Sequence, residues 1–445
     1  MTLPPLPIDW SEIASEATAL LSDYVRIDTT NPPGGEEAGA LFLRTALARD
    51  GIRSELIDAG NGRVSIAGRL PGRATGARKP LVLLSHIDVV PVEREHWQLD
   101  PFAGAVVDGI VWGRGTLDMK GMGIMELLVM ALARRHGLEL QRDLIFLAVA
   151  DEEEGGKHGI LHVREHRPDL LAADYVFNEG AYGFCEFMGQ SVQAVGLGLS
   201  EKSPCWVKLR ATGRPGHASV PHADNALVRL VTALARVEAR ERRAVLTPAV
   251  EAMLRGLAEK GFVPAELDPR DPQTLETLGA LDGHLHAITH DTISLTGVRG
   301  GHKINVIPST AEATLDCRLL PTTGTDDFVR DLAQVIDDPS IEIIQVHRHD
   351  SGQSSLDTPV AAAVAAVVRE RLGKDAFVLP LLSPGFTDSH AYRAAGAAAY
   401  GFTPVLLTPA DLATIHGHNE RLSVANLQLG TQLLFEVVRR LACTS

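Results

Sequence analysis

The sequence predicts an α/β protein, a mainly parallel sheet with covering helices, interrupted by an inserted α+β domain. Three observations predict it. Residues 80–85 and 143–150 are short, nearly continuous apolar runs, the texture of strands buried on both faces. Stretches with helical spacing separate them, and strand–helix alternation of this kind builds parallel sheets. After about residue 199 the texture changes to half-exposed alternating strands, and the α/β pattern resumes near 353.

The elements follow in order. Residues 9–25 have helical spacing, with Asp9 or Ser11 placed to cap the start, and 37–50 form a second amphipathic helix stopped by Gly51. Strands are predicted at 52–57, 63–69, 80–85, 143–150 and 174–178, and helices at 119–136 and 156–166. The interrupting segment gives a strand at 205–212 and a helix at 221–242. A long polar stretch at 244–290 follows, then strands at 292–299 and 304–319, a helix at 325–337 and a strand at 341–349. This β-α-β-β-α-β order fits a small domain with one exposed sheet face. An Ala/Val-rich helix at 357–373 and a last helix at 423–442 complete the chain. The predicted domains are therefore 1–199 with 353–445, and the insertion 200–352.

Composition bounds the function. The 445 residues are 45% hydrophobic and 22% charged, enough for a sizeable core. Asp and Glu number 56 against 42 Lys and Arg, a net charge of −14, which argues against nucleic-acid and anionic-membrane partners. Cys185, Cys205, Cys317 and Cys443 show no close pairing and read as reduced, mostly buried thiols. No apolar run approaches the roughly 20 residues of a membrane span, and the N-terminus lacks a signal-peptide pattern. A cytoplasmic protein is expected.

Five motifs stand at the ends of predicted buried strands or before helices, where open α/β sheets place their ligand sites. In Ser85-His86-Ile87-Asp88, His86 and Asp88 lie two apart, so in extended chain they point the same way. That suits a metal-ligating His oriented by a carboxylate; an incidental strand-end pair is the plain alternative. Asp118, in Gly113-Arg114-Gly115-Thr116-Leu117-Asp118, could be a ligand or a helix N-cap. Asp151-Glu152-Glu153-Glu154 is either a solvated acidic loop or a cation site. It follows an apolar strand, and acids there are costly unless cations neutralise them. Asn178-Glu179-Gly180 and Ile415-His416-Gly417-His418-Asn419-Glu420 complete the set. Together these motifs supply His, Asp, Glu, Glu and His, a ligand set suited to two zinc ions. Two divalent ions would nearly balance Asp118, Glu153 and Glu179.

The runs SHIDVVP, GRGTLDMKG, DEEEGG, NEG and IHGHNE, in this order, resemble the M20 family of zinc peptidases and amidohydrolases over essentially the whole chain. The Ser200-Glu201-Lys202 run and the IHGHNE ending are most similar to the carboxypeptidase S-like and N-acyl-amino-acid hydrolase branch. The resemblance implies that Asp118 bridges two zinc ions, that His86 and Glu179 complete one, and that Glu153 and His416 complete the other. It makes Glu152 the general base and Asp88 the residue that orients His86. It makes His217, in Gly216-His217-Ala218-Ser219, an oxyanion-stabilising group acting in the other subunit of a homodimer. Asn305, Arg318, Gly385 and His390 fall at substrate-contacting positions, Arg318 being matched to the substrate carboxylate; for Arg318 a strand Arg paired with a surface acid is the plain alternative. His390 stands where many relatives carry Arg, which puts the usual preference for an anionic terminal group in doubt. His284, His286, His290, His347 and His349 read as surface histidines, and His416 rather than His418 is taken as the ligand on the family spacing.

The implied activity is hydrolysis of an amide bond in N-acyl amino acids or short peptides, with two Zn²⁺ per chain, replaceable by Co²⁺ or Mn²⁺. A dipeptidase or carboxypeptidase is the alternative enzyme. A catalytically silent, metal-stabilised binding protein is the alternative from another class, and the intact Glu152 and complete ligand set speak against it.

Overall fold

The computed structural model describes residues 4–73, 78–187, 189–264 and 267–443. The chain divides into two compact units. One comprises Met1–Leu199, Gln353–Leu381 and Thr387–Ser445, the other Ser200–Gly352 and Leu382–Phe386.

The first unit is built on an eight-stranded sheet. Its order is Ser54–Asp58, Val64–Leu70, Leu144–Val149, Leu81–His86, Tyr175–Phe187, Ala398–Leu407, Gln190–Glu201 and Phe377–Ser383. The four central strands run parallel. Val64–Leu70 and Gln190–Glu201 flank them antiparallel. Every residue of Leu81–His86 and Leu144–Val149 is buried, as their unbroken apolar runs require. Val82, Leu84, Ile145, Leu147 and Val176 pack on one face with Ile160, Val163 and Tyr392. The helix Lys120–Arg135 is buried over most of its length, and Val424–Cys443 packs against it.

The second unit has a four-stranded antiparallel sheet, in the order Thr292–Gly300, Thr310–Leu319, Ser203–Thr212, Ile341–Arg348. Alternate residues of these strands, among them Val207, Leu209, Ala313 and Leu315, form a core with the helices Ala226–Ala239 and Thr325–Ile336. The predicted α/β protein with an α+β insertion is the observed fold. The polar stretch 244–290 differs from its reading, since it contains the helices Pro248–Glu259, Pro272–Leu281 and Gly283–Thr289. Thr247, Asp271 and Asp282 cap them. The predicted strand 174–178 extends to Phe187 by pairing with Gln190–Glu201. All four cysteines are free, two buried and two half-buried. Among the described residues, no helix is long and apolar enough to cross a membrane.

Glu126 is an exception within the first core. It sits in the helix Lys120–Arg135, fully buried, and among the described residues neither carboxylate oxygen has a hydrogen bond of good geometry, the Ser85 hydroxyl being its polar neighbour. Burial drives its pKa well above the ordinary value of 4.5, outweighing the Ser85 hydroxyl, which favours the charged form. A raised folded-state pKa contributes stability below the unfolded value and loses it as pH rises towards the folded value. Glu126→Gln, which cannot ionise, is therefore expected to gain on the parent protein from about pH 4.5 upward, by up to about 1.4 kcal/mol per pH unit. Thermal melts of both proteins between pH 5 and 8 check this. A constant difference across that range would refute it.

Candidate metal centre

The centre is assembled where central strands end. His86 closes its strand, level with Val149 on the neighbouring strand. Two residues beyond Val149 the chain turns sharply at Asp151, whose φ is +66°, and enters the short helix Glu152–Glu154. Left-handed backbone is uncommon outside glycine, and Asp is among the residues that tolerate it. Asp151 is held there by its own carboxylate, which accepts from the amide of Asn31 at 3.2 Å and the main-chain N–H of His158 at 2.9 Å. Pairing of Tyr175–Phe187 with Leu81–His86 stops at Phe177, which frees Asn178 and Glu179 from that neighbour.

These turns bring together the five residues that the sequence marks as ligands. His86 Nε2 is 3.0 Å from Asp118 Oδ1 and 3.6 Å from Glu179 Oε1. His416 Nε2 is 3.0 Å from Asp118 Oδ2 and 3.4 Å from Glu153 Oε1. Asp118 thus faces one histidine with each oxygen. Two overlapping groups have ligand atoms within 4.8 Å of one another: His86 with Glu152 and Glu179, and His86 with Asp118 and Glu153. Asp118 is not a helix cap, since the cap position of the following helix is Met119.

The donor chemistry fits divalent metal. Glu153 Oε1 is buried and faces His416 Nε2 at 3.4 Å, its polar neighbour at the cluster among the described residues. His86 Nδ1 lies 2.9 Å from the main-chain carbonyl of Asp88, which can only accept, so Nδ1 carries the proton and Nε2 is directed to the centre. Burial lowers the pKa of His86, but hydrogen bonds to Asp118 and Asp88 more than offset this and it stands well above its ordinary value. Hydrogen bonds to Asp118 and Glu153 push His416 up to about 11. Burial drives Glu152 well above the carboxylate range, Asp388 and Glu153 adding to this and His86 opposing it. Positive charge is what this set of groups calls for.

Asp88 does more than the sequence suggests. Its carboxylate oxygen is 3.5 Å from His86 Nδ1, farther than its carbonyl. The carboxylate instead accepts from the N–H groups of Glu152 at 3.1 Å and Glu153 at 3.2 Å, and from Asn31 at 2.8 Å. It is the anchor of the acidic turn.

Glu420 and Arg114 were not singled out from the sequence. Glu420 is fully buried and its two oxygens accept from the main-chain N–H groups of Gly115, Leu117 and Asp118 at 3.0, 2.7 and 3.0 Å. Arg114 donates to the same carboxylate at 2.8 Å and to the carbonyl of Gly417 at 2.9 Å. The pair therefore fastens the loop bearing Asp118 to the loop bearing His416. The available signal was the acid closing IHGHNE, which follows a candidate ligand histidine and precedes a strand.

The remaining marked residues lie elsewhere. His390 is buried in the first unit, on the helix Ser389–Ala394. His217, Asn305, Arg318 and Gly385 belong to the second unit. There Gly216–His217 pairs with Val306–Ile307, and the carbonyl of Asn305 accepts from the N–H of Ala218, so His217 and Asn305 are neighbours. Arg318 pairs with Asp316. Of the histidines read as surface groups, His290 is buried and His347 and His349 are half-buried against Phe386. The aromatic neighbour comes from a distant segment.

Comparison with known proteins finds relatives along nearly the whole chain. The chain is 29% identical over 433 residues to aminoacylase-1B of Rattus norvegicus, covering 96% of this chain and 95% of that protein. It is 30% identical over 375 residues to the N-fatty-acyl-amino acid synthase/hydrolase PM20D1 of Xenopus tropicalis, covering 81% and 72%. Among solved structures, the M20 family metallo-carboxypeptidase Sso-CP2 of Sulfolobus solfataricus shares the fold, with a TM-score of 0.73 at 18% identity over 95% of this chain and 98% of that one. Residues 82–440 match the model of peptidase family M20/M25/M40. The chain belongs to that family of metal-dependent peptidases and amidohydrolases.

Proposed function

We propose that the chain hydrolyses the amide bond of N-acyl amino acids or short peptides, using water activated at a two-zinc centre with Glu152 as general base. The observation that carries this reading is the convergence of His86, Asp118, Glu153, Glu179 and His416 on one point, buried on the His86 side and open at His416, with Glu152 beside it. Similarity to an aminoacylase along nearly the full length favours acylated amino acids. In this reading His86, Asp118, Glu153, Glu179 and His416 would hold the metal, with Asp118 shared, His86 and Glu179 serving one ion and Glu153 and His416 the other. Zinc bound there supplies Lewis acidity and brings the pKa of a water ligand to about 7.

This chain's own groups do the rest. Glu152 takes a proton as the water oxygen attacks the carbonyl carbon, and returns it to the leaving nitrogen as the C–N bond breaks. Asp88, bonded to the N–H groups of both Glu152 and Glu153, sets base and ligand from one anchor. His217 and Asn305 stabilise the oxyanion. The main-chain N–H of Ser219 donates to His217 Nδ1 at 3.2 Å, which leaves Nε2 of the neutral ring as the hydrogen-bond donor. Arg318, Gly385 and His390 contact the substrate, Arg318 through its carboxylate. Four free cysteines suit a cytoplasmic setting.

A homodimer is part of the proposal. Thr292–Gly300 is a sheet edge, exposing Leu295 at 53% and Val298 at 50%, and the helix Ala226–Ala239 exposes Val231 at 60%. A second copy would cover this edge, and His217 would act in the partner's site. Mixing His217→Ala with Glu152→Gln subunits is then expected to restore activity, because some hybrid dimers hold one intact site. No recovery after verified subunit exchange would refute action across subunits.

The proposal is tested with N-acyl amino acids and dipeptides offered to zinc-loaded and chelator-treated protein. Release of free amino acid only by the loaded form, with about two metals per chain as a two-metal site requires, is the expected result. Turnover by metal-free protein, or a silent loaded protein, would overturn it.

A further inference from the structure

The segment at 29–31 lies beside the residues that follow the strand Leu81–His86. Thr30 bridges to Val89, the N–H of Asn31 donates to the carbonyl of Val89 at 2.9 Å, and the Thr29 hydroxyl donates to the carbonyl of Ile87 at 2.7 Å. This places the Asn31 amide against two carboxylates. Its Nδ2 donates to Asp88 Oδ2 at 2.8 Å and to Asp151 Oδ1 at 3.2 Å. Its Oδ1 accepts from Arg63 Nη2 at 2.9 Å. The same guanidinium donates from Nη2 to the carbonyl of Pro33 at 3.0 Å and from Nη1 to Glu36 Oε1 at 2.6 Å, and Nη1 stands 3.3 Å from Asp151 Oδ1. Arg63 ends the turn between the strands Ser54–Asp58 and Val64–Leu70, where its N–H donates to the carbonyl of Gly60 at 3.0 Å. Gly34 leaves the guanidinium its place, since a Cβ there would stand 1.9 Å from Nη1. Reversing the Asn31 amide would set its oxygen against two carboxylates and its nitrogen against a cation, so Arg63 decides which end of Asn31 faces them.

We infer that Arg63 is a positioning residue for the metal centre: through Asn31 it holds Asp88 and Asp151, and thereby the turn that presents Glu152 and Glu153. The role rests on the metal-hydrolase reading above. Asp151 opens that turn, and the Asp88 carboxylate accepts from the N–H groups of Glu152 and Glu153. All of these residues belong to the first unit. The side chains of Glu36, Asp88 and Asp151 are almost wholly out of water, so freeing Asn31 or Arg63 lets three buried carboxylates repel one another and spread. The direction of the effect separates positioning from charge. By Coulomb's law alone, removing a cation beside a dication site tightens the dication. A positioning role predicts the opposite, weaker metal after loss of Arg63.

The test is the Co²⁺ affinity of the full chain, stripped of metal and titrated against a chromogenic chelator, with thermal melts of the metal-free proteins alongside. Arg63→Met is expected to weaken Co²⁺ binding about 10- to 100-fold, the usual worth of a group that orients metal ligands. Arg63→Lys keeps the charge but offers a point rather than a fork, and is expected to weaken Co²⁺ nearly as much. Asn31→Asp keeps the side chain's size and its acceptor for Arg63 but turns its donor into a further acceptor. It is expected to weaken Co²⁺ although it adds negative charge. Unchanged or tighter Co²⁺ in Arg63→Met or Asn31→Asp, or full retention in Arg63→Lys, would overturn the inference. So would lower melting temperatures with unchanged Co²⁺ affinity, or three variants that fail to fold, since Arg63 would then be structural only. No Co²⁺ on the parent protein would remove the hydrolase reading and this inference together. Co²⁺ bound without amino-acid release would remove the reading's chemistry and leave Arg63 its role.

Discussion

Glu152→Gln is expected to keep fold and metal content and to lower kcat by about 10²–10⁴-fold, the usual worth of general-base catalysis. Glutamine has nearly the same shape and cannot accept a proton. The main-chain N–H of Glu152 still bonds to Asp88, so the acidic turn has no reason to move. Glu153→Gln, one residue on, is expected to act differently. It removes a carboxylate whose buried oxygen faces His416, so metal occupancy should fall before any effect on the chemical step. Elemental analysis and steady-state kinetics on both variants separate the roles. Near-normal kcat in Glu152→Gln would assign the base elsewhere.

Glu420→Ala is expected to produce the largest structural loss at the centre. The carboxylate accepts three main-chain N–H groups and the Arg114 guanidinium, and both side chains are almost wholly buried. Removing it strands a buried charge, which typically costs about 3–5 kcal/mol. It also releases the loops that carry Asp118 and His416, so metal affinity should fall together with stability. Thermal melts with and without metal, and competition against a chromogenic chelator, measure the two effects. Glu420→Gln can still accept hydrogen bonds but cannot pair a charge, and should fall between. Unchanged stability and unchanged metal affinity in Glu420→Ala would show that the loops are held by other contacts.

The candidate ligand positions were legible because each sits where periodicity breaks. His86 is the last of six buried strand residues, the acids at 151–154 follow an apolar strand, and the glycines at 155 and 156 mark the turn. Hydrophobic patterning likewise distinguishes two kinds of sheet along the chain, because a sheet with one exposed face alternates and a doubly covered sheet does not. The helices at 248–289 were missed because their polar, proline-containing sequence hides short helical faces; Pro248 and Pro272 start helices there.

The sequence by itself determined which residue types stand at the sheet ends, and hence a fold class and a metal-ligand chemistry. Only the tertiary structure decided what holds them. Asp88 anchors the acidic turn 64 residues away, Glu420 closes on a loop 305 residues before it, and Phe386 reaches Arg318 from a separate segment. Periodicity reports a residue's own face of its own element. A hydrogen bond between a carboxylate and a distant main-chain N–H leaves no periodic trace, because one partner is backbone and every residue except proline carries it.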